Sequence, residues 1–139
     1  MALNLVQTAA GGAYLKDEAS SAVGSLVMAL DWNVARGATN TVVVGTLPAN
    51  ARIIDIAITV PVVSNAATTA TVSVGLSGGS ATAFTAAQDV KTAIGNFRPT
   101  ATANWAVSAT KHDITCTYTE TGTASTAGTI YGRVLYTVL

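Results

Sequence analysis

From about residue 26 to its end, the chain alternates apolar and polar residues with a period of two. In "LVMALDWNV", Leu26, Met28, Leu30, Trp32 and Val34 share one face of an extended strand, with Asp31 and Asn33 on the other. In "RIIDIAITV", Ile54, Ile56, Ile58 and Val60 alternate with Ile53, Asp55, Ala57 and Thr59. In "TVSVGL", Val72, Val74 and Leu76 alternate with Thr71, Ser73 and Gly75, and in "ITCTYT", Ile114, Cys116 and Tyr118 alternate with Thr115, Thr117 and Thr119. Such alternation predicts half-buried strands, and β-branched threonine suits their outer, pleated face. Turn signals separate the runs: Arg36-Gly37, Leu47-Pro48-Ala49-Asn50, Ser77-Gly78-Gly79, Arg98-Pro99 and Glu120-Thr121-Gly122. Short strands punctuated in this way predict an all-β, antiparallel sandwich or barrel.

Three segments depart from this pattern. "FTAAQDVKTAI" is the best helix candidate, with Phe84, Ala87, Val90 and Ile94 near helical spacing, and an irregular strand-loop fits it equally well. In the last run, "TIYGRVLYTVL", both parities carry large apolar groups: Ile130, Val134, Tyr136 and Val138 on one, Tyr131, Leu135 and Leu139 on the other. A strand of that kind is expected to be covered on both sides, by its own fold or by another subunit. Residues 1–25 have a short apolar start, a Gly11-Gly12 break and a Lys16-Asp17-Glu18 cluster. They read as an N-terminal arm ahead of a β-domain over 26–139, or else as an ordinary first strand followed by a loop.

Charge sharpens the picture. Only 10% of the 139 residues are charged and the net charge is zero, against about 25% charged in typical soluble domains. Charge repulsion between copies is therefore weak, and the surface reads as one meant to be covered by neighbours. Lys and Arg together number seven and are scattered, which disfavours nucleic-acid binding through a basic patch. No run approaches the ~20 apolar residues of a membrane helix. No basic start leads into an apolar run, so no secretory leader is expected. A single cysteine, Cys116, excludes an internal disulfide.

Candidate chemistry is sparse. Gly75-Leu76-Ser77-Gly78-Gly79 fits the G-x-S-x-G turn that presents a hydrolase serine, and Asp89 and His112 follow in triad order. That turn works when a strand runs straight into a helix, whose N-terminus then faces the oxyanion. Here Gly78-Gly79-Ser80-Ala81-Thr82 is a poor helix start, since each glycine costs about 1 kcal/mol relative to alanine. The glycines are expected instead to supply positive-φ turn positions after a core strand, with Ser77 a turn residue. His112 is the one histidine, which excludes a histidine-rich metal site. It is expected in a solvated turn before a strand. The carboxylates Asp31, Asp55, Asp89, Asp113 and Glu120 are dispersed. Cys116 falls on an apolar strand face and reads as a buried, inert thiol. Trp32 reads as core. Trp105, in "TANWAVSAT", has the chemistry to stack a sugar, but burial trends favour a core or interface anchor. No catalytic residue, cofactor or metal is assigned.

Two stretches carry a resemblance. "TLPANARIIDIAITVPVVSNAATTATVSVGLSGGSATAFTAAQDVKTA" and "TAGTIYGRVLYTV", a little under half of the chain, resemble small structural proteins of tailed bacteriophages. The shared pattern is an "LPA-x-A-x-I" turn into a strand, a Thr-rich "A-T-x-T-x-S-V-G" strand, a glycine turn, a "D-x-K" segment and a late "TAGT-I". The resemblance implies a jelly-roll-like sandwich and a virion role as a capsid decoration (cement) protein. The implied partners are the major capsid protein and further copies of the chain, as a homo-oligomer and often a trimer, on the capsid surface after assembly in the host cytoplasm. No nucleic acid or membrane partner is implied. The N-terminus carries none of the pattern. Apolar and aromatic residues expected at interfaces are Leu3, Leu5, Val6 and Tyr14 in the arm, and Trp105, Tyr131 and Leu135 in the body. A neck, tail or fibre-base protein and a carbohydrate-binding sandwich are the alternative readings.

Overall fold

Alternation in the sequence becomes two antiparallel sheets packed face to face. The structure, a computed structural model, describes residues 26–37 and 39–139. Its strands are β1 (Val27–Asn33), β2 (Thr39–Leu47), β3 (Ala51–Val62), β4 (Thr69–Leu76), β5 (Gln88–Asp89), β6 (Gly95–Phe97), β7 (His112–Thr121) and β8 (Thr129–Val138). Four strands in the order β1-β8-β3-β6 make sheet I, and four in the order β2-β7-β4-β5 make sheet II. The chain is therefore an antiparallel β-sandwich, as the alternation predicts. Residues 1–25, and with them the arm and the candidates Leu3, Leu5, Val6 and Tyr14, lie outside the described residues.

The core lies between the sheets. Ile56, Ile58, Val60, Ile130 and Val134 enter it from sheet I, and Val72, Val74, Ile114, Cys116 and Tyr118 from sheet II. Each fully buried Val or Ile contributes on the order of 1.5–3 kcal/mol relative to exposure. The predicted inward faces hold for β4 and β7, and in β8 the even positions are buried from Ile130 to Tyr136 but not at Val138.

In β3 the predicted face is corrected over one residue. Pairing with β8 slips between Ile53 and Asp55, a bulge that leaves Ile54 opposite no partner. Ile53 turns inward at 4% exposure and Ile54 outward at 46%. One extra residue reverses the parity of everything before it. Strict alternation over "RIIDIAITV" cannot reveal this, because Ile53 and Ile54 are equally apolar. Pairing lapses again between Thr59 and Val62, where Pro61 has no N–H to give to a ladder.

Helical spacing over 84–94 does not produce a helix. Phe84 and Thr85 both donate backbone N–H groups to Val74 O (3.0 and 3.1 Å), and Val90 N–H donates to Ala70 O (3.0 Å). Thr85 Oγ1 accepts from Val74 N–H at 2.9 Å. The segment thus runs beside β4 and contributes β5, with Phe84 and Val90 in the core. Among the described residues the one helical element is a 3-10 turn, Ala103–Trp105.

The glycines of "GLSGG" divide their tasks. Gly78 alone of the three has positive φ, +75°, as third residue of the Leu76–Gly79 turn closed by Gly79 N–H to Leu76 O at 3.0 Å. Gly75 sits inside β4 for a different reason: a Cβ there would lie 2.3 Å from Ser80 O. The expectation of positive φ at all of them is corrected accordingly.

Candidate functional site

The hydrolase pattern is not assembled. Ser77 is exposed in its turn, and its N–H donates to Asp113 O at 3.0 Å. Asp89 Oδ1 accepts from the N–H groups of Lys91 (2.8 Å) and Thr92 (3.3 Å), and its other oxygen accepts from the Thr92 hydroxyl. Those bonds, the Thr92 hydroxyl first, hold the Asp89 carboxyl below its usual value. His112 opens β7, half-buried, with Nε2 2.6 Å from Ser108 Oγ. The Ser108–His112 pair was not foreseen from the sequence, where neither residue sits in a motif. Ser108 Oγ also accepts from Thr110 N–H at 3.3 Å, and no carboxylate bonds to the imidazole among the described residues. The pair clamps the loop ahead of β7. Among the described residues no group of three potential metal ligands comes together.

The surfaces the two sheets turn outward carry the remaining polar chemistry. On sheet I, the β1–β8 register sets Asp31 opposite Arg133 and Asn33 opposite Tyr131, and β3 adds Asp55, Ala57 and Thr59. Arg133 binds Asp31 through both carboxylate oxygens, Nε to Oδ1 at 2.6 Å and Nη2 to Oδ2 at 3.0 Å. Arg98 pairs with Asp55. The Arg133 hydrogen bonds lower the Asp31 carboxyl and raise the guanidinium in turn. These residues line an open groove of ≈ 600 Å³, shared with Tyr131, Asn96 and Leu135.

Sheet II carries hydroxyl rows instead, exposed at Thr39 and Thr41 and buried within the chain at Ser73, Thr115 and Thr117. Register aligns Thr39, Thr119 and Thr71 in one row, ending at Asp89. Thr41, Thr117 and Ser73 form the next, and Val43, Thr115 and Gly75 the third. Thr41 Oγ1 and Thr117 Oγ1 are 2.9 Å apart, and Thr69 Oγ1 and Thr121 Oγ1 2.7 Å.

Interface candidates in the body have separate positions. Tyr131 is 43% exposed and, with half-buried Leu135, belongs to the sheet I groove. Only the even face of β8 is in the core. Its odd face is open at Tyr131 and Arg133 and closed at Thr137. Trp105 is half-buried against the core, and its indole N–H donates to Phe84 O at 2.7 Å. It anchors the 3-10 turn to the body and is not a free stacking platform. Trp32 packs over Gly132 at the rim of the core, where its Nε1 has no hydrogen-bond partner among the described residues. Cys116 is buried, as expected. Burial pushes its thiol up to about 11, offset in part by the Trp32 indole, which faces it outside hydrogen-bond geometry.

One buried polar cluster had no sequence signal. Tyr118 OH lies 2.8 Å from Ser64 Oγ and donates to Glu120 Oε1 at 3.1 Å, and Glu120 accepts from Ser125 N–H at 3.0 Å. Burial alone would raise the Glu120 carboxyl. The Ser125 and Tyr118 bonds, with the Arg36 charge, outweigh it and hold the group below its usual value.

Fold and surfaces together define a β-sandwich with no assembled catalytic centre among the described residues and two chemically distinct outer faces. No protein-family profile matches the chain, and no curated protein matches it. Solved structures do. A chain in the cyanophage Pam1 capsid asymmetric unit superposes with a TM-score of 0.67 at 21% identity, covering 94% of this chain and 96% of that one. A chain in the acid-stable capsid of Helicobacter pylori bacteriophage KHP30 gives 0.61 at 14%, covering 82% and 87%. One in the capsid of Ralstonia phage GP4 gives 0.57 at 19%, covering 91% and 92%. The fold is thus one found in phage capsid structures.

Proposed function

We propose that this protein is a structural component of a bacteriophage virion and, within it, a capsid decoration protein that bridges and stabilises the major capsid lattice. The observation that carries the reading is the likeness, over 94% of this chain and 96% of the other, to a chain of a phage capsid asymmetric unit. The order β1-β8-β3-β6 against β2-β7-β4-β5 supports a jelly-roll body, in which the chain crosses between two four-stranded sheets at every connection except β4 to β5. The action is mechanical rather than enzymatic. Partners are the major capsid protein and further copies of this chain, as a trimer on the outer surface. Binding the assembled lattice and not its dissociated subunits stabilises the shell by mass action. Tyr131 and Leu135 serve as body contacts, the segment 1–25 as an arm, and Trp105 holds its loop in place. Charges already paired across sheet I, and so few cations elsewhere, support a partner other than nucleic acid.

The test is occupancy. Purified protein is added to particles lacking it, pelleted, and imaged by electron microscopy. Saturable density on the shell exterior is expected. Absence of binding, or density confined to neck or tail, overturns the reading. The sheet I groove favours a second reading, a carbohydrate-binding sandwich, because the exposed Tyr131 ring stands near Asp31, Asp55 and Asn96. Glycan-array binding lost in Tyr131→Ala would establish it.

A further inference from the structure

We infer that the open side of the sandwich, along β2, takes residues 3–8 of a second copy as an added strand. The two sides of the molecule differ in how their edges are protected. On one side the edge strands are β5 and β6, of two and three residues, too short to template pairing. On the other they are β1, of seven residues, and β2, of nine. β2 reads "TNTVVVGTL", without a charge, a lysine or a proline to discourage pairing. Its one irregularity is the register shift between Val43 and Gly45, so Thr39–Val43 is in unbroken register with β7 and paired on one side only among the described residues.

The core is also incomplete along this side. Val42 is in register with buried Cys116 and so faces inward, yet it is 42% exposed, and its neighbour Val43 is 57% exposed. Met28, Leu30, Trp32 and Val44 pack against the core but are only partly buried. Their counterparts in β3, β4, β7 and β8 are closed. An apolar seam thus runs beside an unprotected edge, the combination that strand addition satisfies: main-chain bonds along the edge, side chains over the seam.

Sequence and connectivity name the occupant. The chain outside the described residues joins the body at β1, on this same side. "LNLVQT", residues 3–8, is uncharged like β2, and Leu3 and Leu5 share one face of an extended segment. That face supplies what the seam lacks. A return to the chain's own edge needs a connection of about 2–6 residues. The stretch 9–25 instead spans up to about 55 Å when extended, more than the roughly 35–40 Å width of a folded chain of this length. It is long enough to reach a neighbour. The inference concerns the isolated protein and does not depend on the virion reading.

The experiment is done in solution, away from particles. Sedimentation of the full chain at micromolar concentration is expected to show an oligomer, and Val43→Lys in the full chain is expected to shift it to monomer while the circular dichroism spectrum of the folded body is retained. An isotope-labelled chain lacking residues 2–14 is then mixed with unlabelled full chain, and amide exchange of Thr39–Val43 is followed by NMR. Slowing of those amides by at least tenfold, reproduced by a peptide of residues 1–10, is the expected result. A monomeric full chain overturns the proposal. So does an oligomer that persists in Val43→Lys. Protection of β2 in the full chain alone that is never transferred to the shortened chain overturns it as well, since the arm then covers its own edge. Loss of folding in the shortened chain leaves sedimentation of Val43→Lys to decide.

Discussion

On the outer face of sheet I, Asp31 and Asp55 each hold an arginine, whereas the corresponding central rows of sheet II set threonine against threonine. Both faces are neutral, by different means. Sheet I neutralises full charges in pairs, so a partner laid on it must desolvate four ions or break the pairs. Sheet II neutralises dipoles: its hydroxyls bond to each other in the plane of the sheet, and covering them leaves fewer groups unsatisfied. Covering what is exposed of sheet II, chiefly Thr39, Thr41 and Thr69, is therefore the less costly, since Ser73, Thr115 and Thr117 are already buried within the chain, while sheet I keeps an open groove. The two sheets also lean on different glycines, Gly75 under the 80–81 backbone and Gly132 under Trp32 on the inner side of sheet I, and the largest expected effects fall there.

Gly75→Ala and Gly132→Ala compare the sheets directly. A Cβ on Gly75 meets backbone, Ser80 O at 2.3 Å and Ala81 C at 2.4 Å. A Cβ on Gly132 meets the Trp32 indole at 2.2 Å. Both overpack, and each is expected to destabilise by about 1–3 kcal/mol. Gly75→Ala is the worse, because the 80–81 backbone has no rotamer to leave by. Trp32→Phe should partly rescue Gly132→Ala and do nothing for Gly75→Ala. Thermal melting of the four variants checks this; equal rescue at both sites would mean that the 80–81 loop does not pin sheet II.

Acid should separate the faces next. Asp31 on sheet I, Asp89 at the end of one sheet II row and Glu120 in its buried cluster all have lowered carboxyl values. A group depressed in the folded state adds stability above its unfolded value and loses it as pH falls through the folded one. Stability is thus expected to be full above about pH 4.5, the ordinary Glu value, and to decline below it. Asp31→Asn should flatten part of that decline by removing sheet I's share, and Glu120→Gln another part. The threonine rows do not titrate. Melting temperature from pH 2 to 7 is the measurement, and an Asp31→Asn profile parallel to the parent throughout would remove sheet I from the acid response.

How much of this could be read from the sequence follows from what periodicity records. Val72, Val74, Ile114, Cys116 and Tyr118 alternate cleanly with hydroxyl residues, and each lies where the alternation puts it. The Ile53–Ile54 bulge is invisible because both residues are isoleucine. Strand β2 was implied only by its flanking turns, because "TVVVGT" has three valines in succession and no alternation. Of the two readings open for 84–94, the irregular strand-loop holds and the helix does not, because Phe84 and Val90 are core residues held by non-local bonds to β4, and any spacing can be imposed that way. Of the residues lining the sheet I groove, Tyr131 and Leu135 stand out in the sequence as surplus apolar groups on the second face of β8. The Asp31–Arg133 and Asp55–Arg98 pairs were not, being created by strand register over a hundred residues or tens of residues apart.

Breaking one sheet I pair is expected to have a modest effect. Arg133→Gln loses a bidentate contact, but both partners are more than half exposed, so solvent screening keeps the loss small. The loss should shrink in 1 M salt, where the Debye length falls to about 3 Å. Urea denaturation at low and high salt checks it, and a salt-independent loss would mean that Arg133 acts through packing of its stem over the groove.

The smallest effect is expected from the sheet II rows, and its pattern matters more than its size. Thr41 is exposed and Thr117 buried, with their hydroxyls 2.9 Å apart. Thr41→Val alone strands the Thr117 hydroxyl and should cost about 1 kcal/mol. Adding Thr117→Val removes the stranded group and keeps the shape, so the double variant should return to within about 0.5 kcal/mol of the parent. The matching cycle on Asp31 and Arg133 runs the same way in sign but responds to salt, which the threonine cycle does not. A double-mutant cycle by urea denaturation measures both. Should the threonine double variant be as unstable as the sum of its singles, the rows contribute net stability of their own, and the case that sheet II is the less costly face to cover weakens with it.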